Sequence, residues 1–261
     1  MYHLAELDAR LAGTIFAGKL HFSPVTGSTN TDAVAAAREG APHGSVCFAD
    51  EQTAGRGRGV HGWHSAAGDG LYVSVLLRPT IALEHLPLIP LAAGLAGAAA
   101  IGLTTGLKVD LRWPNDLLIG ERKTGGILVE SKTDANALAF VVIGIGINVH
   151  QRSFDNALST PATSLDLASG RTISRQALLI ALLESLQQET QGLHDPAVAG
   201  AIPARVAQVS TWLWNRRVEV HGPQACVGLT AGLDRNGFLL VRTDQGIMTV
   251  QTGGIRAART N

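Results

Sequence analysis

Two arginines sit among glycines in residues 53–68, TAGRGRGVHGWHSAAG. Gly55, Gly57 and Gly59 let the backbone take positive φ and approach a ligand closely, leaving N–H donors exposed. Arg56 and Arg58 add guanidinium forks suited to carboxylate or phosphate, although a basic turn reads the same way. Trp63 follows as core filler or as a surface on which a flat ring stacks. In residues 112–131, RWPNDLLIGERKTGGILVES, Asn115 and Asp116 stand at a turn entering a strand. Turn chemistry alone accounts for them; the chemical alternative is an amide and a carboxylate facing Mg²⁺ and phosphate oxygens. Lys123, ahead of Gly125 and Gly126, is either a solvated hairpin lysine or a point charge reaching a bound acyl phosphate.

Two further clusters carry polar or vacant positions. In VVIGIGINVH, strand alternation puts Gly144, Gly146 and Asn148 on one face. The glycines clear space for a flat ligand and Asn148 can hydrogen-bond it. This is no dinucleotide fingerprint, since Val149 replaces the last glycine and no helix opens there. In GSTNTDA, Ser28, Thr29 and Asn30 gather at a helix N-terminus, where they either cap the helix or bind a small polar ring such as a cyclic urea. Zinc-protease, P-loop, C-x-x-C and nucleophile-elbow motifs are absent. His61 and His64 lack clear further metal ligands.

The elements that must position these residues belong to a nearly neutral chain of 261 residues, 46% hydrophobic and 16% charged. That length holds one large domain, or a large one with a small one. Lys+Arg and Asp+Glu both number 21, so no net field recruits DNA or an anionic membrane. Cys47 and Cys226 lie in apolar runs, the pattern of buried free thiols in a reducing cytosol. Residues 1–13 carry acids and no apolar signal core, so no export signal is read. Residues 86–107 are uncharged and long enough to span a membrane. Pro87, Pro90 and an Ala/Gly middle predict instead a buried helix after Pro90. KLHFSPVT, GSVCFAD, GLYVSVLL and LKVDLRW read as strands, STNTDAVAAAREG as a capped helix, and DLLIGERKTGGILVES as a hairpin. ALAFVVIGIGINV has the pattern of a strand covered on both faces. Residues 174–192 form an amphipathic helix capped by Ser174. From about Trp212, short strands and Gly/Asn/Asp turns predict a small β-barrel or sandwich packed on the α/β body.

In order and spacing, GSTN, EQTAGRGRGVHGW, RWPNDLLI…RKTGGILVE and GIGINV together resemble the biotin protein ligases (biotin–acetyl-CoA-carboxylase ligases). The resemblance runs from about residue 20 to the C-terminus. It implies an α/β (α+β) fold: a mixed sheet flanked by helices, related to class II aminoacyl-tRNA synthetase domains, and an SH3-like C-terminal barrel. The domains would be 1–211, catalytic, and 212–261. It implies that biotin and ATP give biotinyl-5′-AMP, with Mg²⁺, and that a lysine of the biotin carboxyl carrier protein of acetyl-CoA carboxylase then takes the biotin. By the resemblance Ser28, Thr29, Asn30 and Gln52 contact the biotin head group, and Arg56, Gly57 and Arg58 line the biotin and phosphate site. Lys123 bridges biotin and adenylate; Lys123, Arg56 and Arg58 neutralise the approaching anions. Trp63, Asn115, Gly126, Ile127 and Asn148 belong to the nucleotide, Asp116 to the metal. Arg259, or else Arg256, matches an arginine that the family places near the nucleotide.

The chain departs from the family pattern at Val60 and His61, where glycine and arginine are usual, and at Arg112, often lysine. Some relatives carry an N-terminal DNA-binding domain; 27 residues before Ser28 leave no room for one, so direct DNA binding is not expected. Analogy allows a homodimer. A lipoate ligase is the related alternative, and a biotin sensor without turnover is the alternative of another class.

Overall fold

A computed structural model describes residues 2–59, 61–134, 137–155 and 158–258. After a short α1 (Leu4–Arg10), β1 (Leu20–Thr26) and β2 (Ser45–Gln52) run parallel, joined by α2 (Thr29–Arg38). β3 (Gly70–Leu77) returns against β2, and a 3₁₀ turn (Leu83–Leu88) leads into α3 (Ile89–Thr105). Then come β4 (Asp110–Arg112), β5 (Asp116–Ile119), β6 (Arg122–Asp134) and β7 (Ala137–Asn148). The seven strands form one mixed sheet, β1-β2-β3-β7-β6-β5-β4, antiparallel everywhere except β1/β2. Helices α4 (Leu165–Ser169), α5 (Arg175–Gln191) and α6 (Pro196–Val209) complete the body.

Strand alternation sorts the side chains into layers. Leu71, Val73, Val75 and Leu77 of β3 join Ile143, Ile145 and Ile147 of β7 in the main core, which α3 and α5 cover. The opposite face sends Leu76 and Val142 against Ala33 and Ala37 of α2. On that same face Gly144, Gly146 and Asn148 continue past the apolar contact and line a cavity, with Ser74 buried beside them. The uncharged α3 is a core helix of this body. Its small residues let it lie close to the sheet: a Cβ on Gly97 would stand 2.9 Å from Leu117 Cδ1.

From Trp214 a second, all-antiparallel sheet forms in the order β11-β10-β9-β8-β12. Its strands are β8 (Trp214–His221), β9 (Cys226–Leu233), β10 (Leu239–Thr243), β11 (Gly246–Val250) and β12 (Gly254–Ala257). It packs on the body as its size demands. Trp113 Nε1 donates to Gly237 O at 3.0 Å, and the Arg216 guanidinium lies 3.6 Å from the Trp212 ring centre while reaching Glu121 at 2.7 Å.

Several expectations change. Ser28 occupies the N-cap position of α2, yet its side chain makes no capping bond; Thr26 Oγ1 instead donates to Asp32 Oδ2 at 2.7 Å across the first turn. Cys47 is buried, and burial pushes its thiol up to about 11, but Cys226 is only half-buried. LKVDLRW shortens to the three residues of β4. Helices α1, α4 and α6 go beyond the sequence expectation; α6 carries Pro196 in its first turn, Pro203 inside, and an Asp195 cap that accepts from Ala197 N–H.

Candidate active site

The Gly/Arg loop folds as a tight excursion after β2. Gly57 N–H donates to His61 O at 2.7 Å and Trp63 N–H to Gly55 O at 2.8 Å. Gly59 takes φ +62°, and a Cβ on Gly55 would lie 2.4 Å from Trp63 O, so both positions need glycine. The loop lays the Trp63 indole over the sheet. A Cβ on Gly146 would come within 2.6 Å of the indole, and one on Gly144 within 1.9 Å of Asn30 Oδ1. The space these glycines clear is therefore taken by the protein's own Trp63 and Asn30 side chains, not left open for a flat ligand. The Trp63 Nε1–H is buried without an acceptor among the described residues.

Ser28, Thr29 and Asn30 are all buried at the start of α2. A hydrogen-bonded chain runs through Thr29 and Asn30. Thr29 N–H donates to Gln52 Oε1 at 2.9 Å, and Thr29 Oγ1 lies 2.8 Å from Ser74 Oγ. Ser74 Oγ donates to Asn30 Oδ1 at 2.6 Å, and Gln52 Nε2 to Ser65 Oγ at 2.8 Å. So Thr29 and Asn30 are tied into a buried polar network, with Ser28 buried beside them.

The cations Arg56, Arg58 and Lys123 are each held by a partner. Arg56 pairs with Glu130 at 2.6 Å. Arg58 donates to Gly253 O of the small sheet at 2.7 Å and to Asn115 Oδ1 at 3.4 Å. Burial pushes the Arg58 pKa down while Asp116 pulls it up; a guanidinium remains charged all the same. Lys123 Nζ lies 2.5 Å from Asp116 Oδ1 and 5.5 Å from the Trp63 ring centre. Arg112 closes on Asp116 Oδ2 with two donors, at 2.6 and 3.0 Å. Burial alone would raise the Asp116 carboxyl, but Lys123 and Arg112 outweigh it and hold it below the ordinary carboxylate value.

With one oxygen on Lys123 and the other on Arg112, Asp116 does not offer the free carboxylate expected of a metal ligand. Among the described residues no group of three His, Cys, Asp or Glu could hold a metal ion. The residues present do not fit a protein-held Mg²⁺.

Every site residue that the family resemblance assigns, Arg259 apart, lines a single cavity of about 1240 Å³. Arg259 and Val60 lie outside the described residues; His61 and Arg256 both line the cavity. Asn148 is buried, its Nδ2 donating to Thr163 O at 3.1 Å. Asn115 Nδ2 donates to Ile127 O at 2.7 Å and holds the WPND turn on β6. Sequence reasoning missed Glu130, His221 and Gln151, a buried cavity residue whose Oε1 is unpaired among the described residues. Only the fold brings these three to the site, and no motif rule singles them out.

Residues 22–148 match the model of the Biotin/lipoate A/B protein ligase family. The chain is 35% identical over 256 residues to the bifunctional ligase/repressor BirA of Bacillus spizizenii, covering 96% of this chain and 78% of the relative. The chain belongs to the biotin protein ligases. The biotin–[acetyl-CoA-carboxylase] ligase of Mycobacterium tuberculosis is 32% identical over 237 residues, covering 88% of this ligase and 85% of the relative. A biotin protein ligase from Aquifex aeolicus, solved in complex with biotin and ATP, superposes with a TM-score of 0.78 at 27% identity, covering 93% of this chain and all of that one. The large mixed sheet and its helices are thus the α+β architecture of the family.

Proposed function

We propose that this ligase forms biotinyl-5′-AMP from biotin and ATP, then transfers the biotinyl group to a lysine of the biotin carboxyl carrier protein of acetyl-CoA carboxylase. In the first step a biotin carboxylate oxygen attacks the α-phosphorus and pyrophosphate leaves. In the second the acceptor lysine amine attacks the mixed-anhydride carbonyl, losing a proton, and AMP leaves. The observation that carries this reading is the junction, in one cavity, of the polar pocket at Ser28–Asn30 with the cations Arg56, Arg58 and Lys123 beside the Trp63 indole.

Two anions must meet in the first step, so catalysis rests on placed positive charge and alignment. The hydroxyls and amides of Ser28, Thr29, Asn30 and Gln52 suit a cyclic urea. Arg56, Gly57 and Arg58 would face the carboxylate and phosphates, with Lys123 at their junction. Trp63, Asn115, Gly126, Ile127 and Asn148 would surround the nucleotide. Arg256 on β12 is the described arginine suited to the nucleotide from the small sheet. Mg²⁺, having no protein carboxylate set waiting, would enter with ATP, and no step here depends on it. We read the second sheet as an SH3-like barrel over 212–261, the body over 1–211 as a synthetase-like catalytic domain, and the free thiols as suiting the cytoplasm.

The test is mass-spectrometric detection of biotin transfer to a biotin carboxyl carrier domain with ATP and Mg²⁺, beside a parallel lipoate reaction. ATP-dependent, biotin-selective transfer is expected. Selective lipoate transfer would overturn the choice of acid, and biotin binding without pyrophosphate release would make the protein a sensor.

A further inference from the structure

Glu130 is absent from the reaction as described, yet two site residues converge on one of its oxygens. Arg56 donates to Glu130 Oε2 at 2.6 Å, and Asn30 Nδ2 donates to the same atom at 2.7 Å. Glu130 reaches that point because β6 pairs with β7 in register, Glu130 opposite Val142, and Leu128 opposite the Gly144 over which Asn30 lies. Asn30 is 4% exposed and its other amide atom already accepts from Ser74, so Glu130 supplies the acceptor for its N–H. The pair with Arg56 is different in kind. Its side chains are 43% and 33% exposed, so it is an ion pair at the cavity rim that solvent weakens and a competing anion can break.

Resting on the reading above, we propose that Glu130 is a positioning residue with two opposed effects. It fixes the Asn30 amide for the head-group pocket, and through the ion pair it holds Arg56 on its own carboxylate, away from incoming anions. An anionic ligand must then draw Arg56 off Glu130, and its affinity is lowered by the fraction of enzyme in which the pair is closed. Because Asn30 and Arg56 share one oxygen, the same side chain tightens one subsite and restrains the other.

Two substitutions separate the effects. Glu130→Gln keeps an acceptor for Asn30 but removes the charge that retains Arg56; Glu130→Ala removes both. Binding of inorganic pyrophosphate and of biotin is measured by calorimetry, separately, for the wild type and each variant, with and without Arg56→Ala. Glu130→Gln is expected to tighten pyrophosphate roughly 2- to 5-fold, the range of an exposed ion pair, and to leave biotin binding within about 2-fold. Glu130→Ala should tighten pyrophosphate similarly while weakening biotin about 10-fold, because the buried Asn30 N–H loses its acceptor. In the Arg56→Ala background the pyrophosphate gain should vanish.

Unchanged pyrophosphate affinity in Glu130→Gln overturns the proposal. So does a gain that persists without Arg56, which would be a general field effect, and so does a wild type that does not bind pyrophosphate at all. A wild type that binds pyrophosphate but not biotin sinks the ligase reading, while the arginine cycle still decides the role of Glu130.

Discussion

Lys123 and Asp116 form the most constrained pair in the site, and what each does depends on the other. Lys123 is more than a quarter exposed and leans on a carboxylate that Arg112 also holds. Lys123→Ala leaves Asp116 paired, so the cost in stability is about 1 kcal/mol. If the ammonium meets charge developing on biotin and the α-phosphate, adenylation falls roughly 10²- to 10³-fold. Pyrophosphate release beside a thermal melt checks both numbers, and an unchanged rate at native stability removes Lys123 from the catalytic account. Asp116→Asn acts the other way, leaving Arg112 and Lys123 without their anion in a largely buried place, at about 3 kcal/mol near neutral pH. Lys123 and Arg112 hold the folded-state Asp116 carboxyl below its ordinary value. Its stabilisation is therefore full only above the range in which an unfolded carboxylate titrates, and is lost as pH falls through that range and the lowered folded-state value. Melting curves between pH 2 and 7 should show the gap between wild type and Asp116→Asn narrowing only at the acid end.

At the scale of elements, the site depends on how closely β7 lets α2 and the Gly/Arg loop approach. Gly144→Ala would set a methyl 1.9 Å from Asn30 Oδ1, so the Asn30 side chain must leave. The chain through Ser74 and Thr29 breaks with it. The expected result is a loss of about 1–3 kcal/mol in stability and at least roughly tenfold weaker biotin binding as the pocket's polar groups lose their partners. Chemical denaturation and calorimetry read the two effects separately; biotin affinity unchanged in a destabilised protein would take Asn30 out of the head-group pocket. Alternation alone reveals that Gly144, Gly146 and Asn148 share a face, and GLYVSVLL is legible as a strand because every residue in it is apolar or small. What fills the glycine face is not legible, because Asn30 and Trp63 arrive from more than eighty residues away along the chain. Glu130 escapes notice for the same reason: within KTGGILVE it is one more polar residue on an alternating strand until β6, α2 and the loop are assembled. Helix α6 is masked by its own Pro203, which reads as a breaker where tertiary packing tolerates it.

For the whole molecule, the question is why a small sheet should accompany a body that already holds the polar pocket and the cations. It reaches the site directly: Gly253 O receives Arg58, while His221 and Arg256 line the cavity. It is fastened by Trp212, 2% exposed, whose ring is met by the guanidiniums of Arg216 at 3.6 Å and Arg112 at 5.2 Å. Arg112 in turn grips Asp116, and Asp116 holds Lys123, so one line of contacts joins the small sheet to the cations of the cavity. Trp212→Ala removes the middle of that line. A buried tryptophan lost to alanine costs about 3–5 kcal/mol, and the loss should fall mainly on the junction. Differential scanning calorimetry is expected to resolve two transitions where the wild type shows one, the small sheet melting first. Below the first transition, adenylation should already be reduced, because Arg58 loses a fixed carbonyl and Arg112 a stacking partner. Trp212→Phe, which keeps an aromatic face for both guanidiniums, should restore most of the rate and the single transition. A Trp212→Ala protein that melts in one step at wild-type activity would mean that the small sheet merely adjoins the cavity, and that the body alone sets the geometry of Arg58 and Lys123.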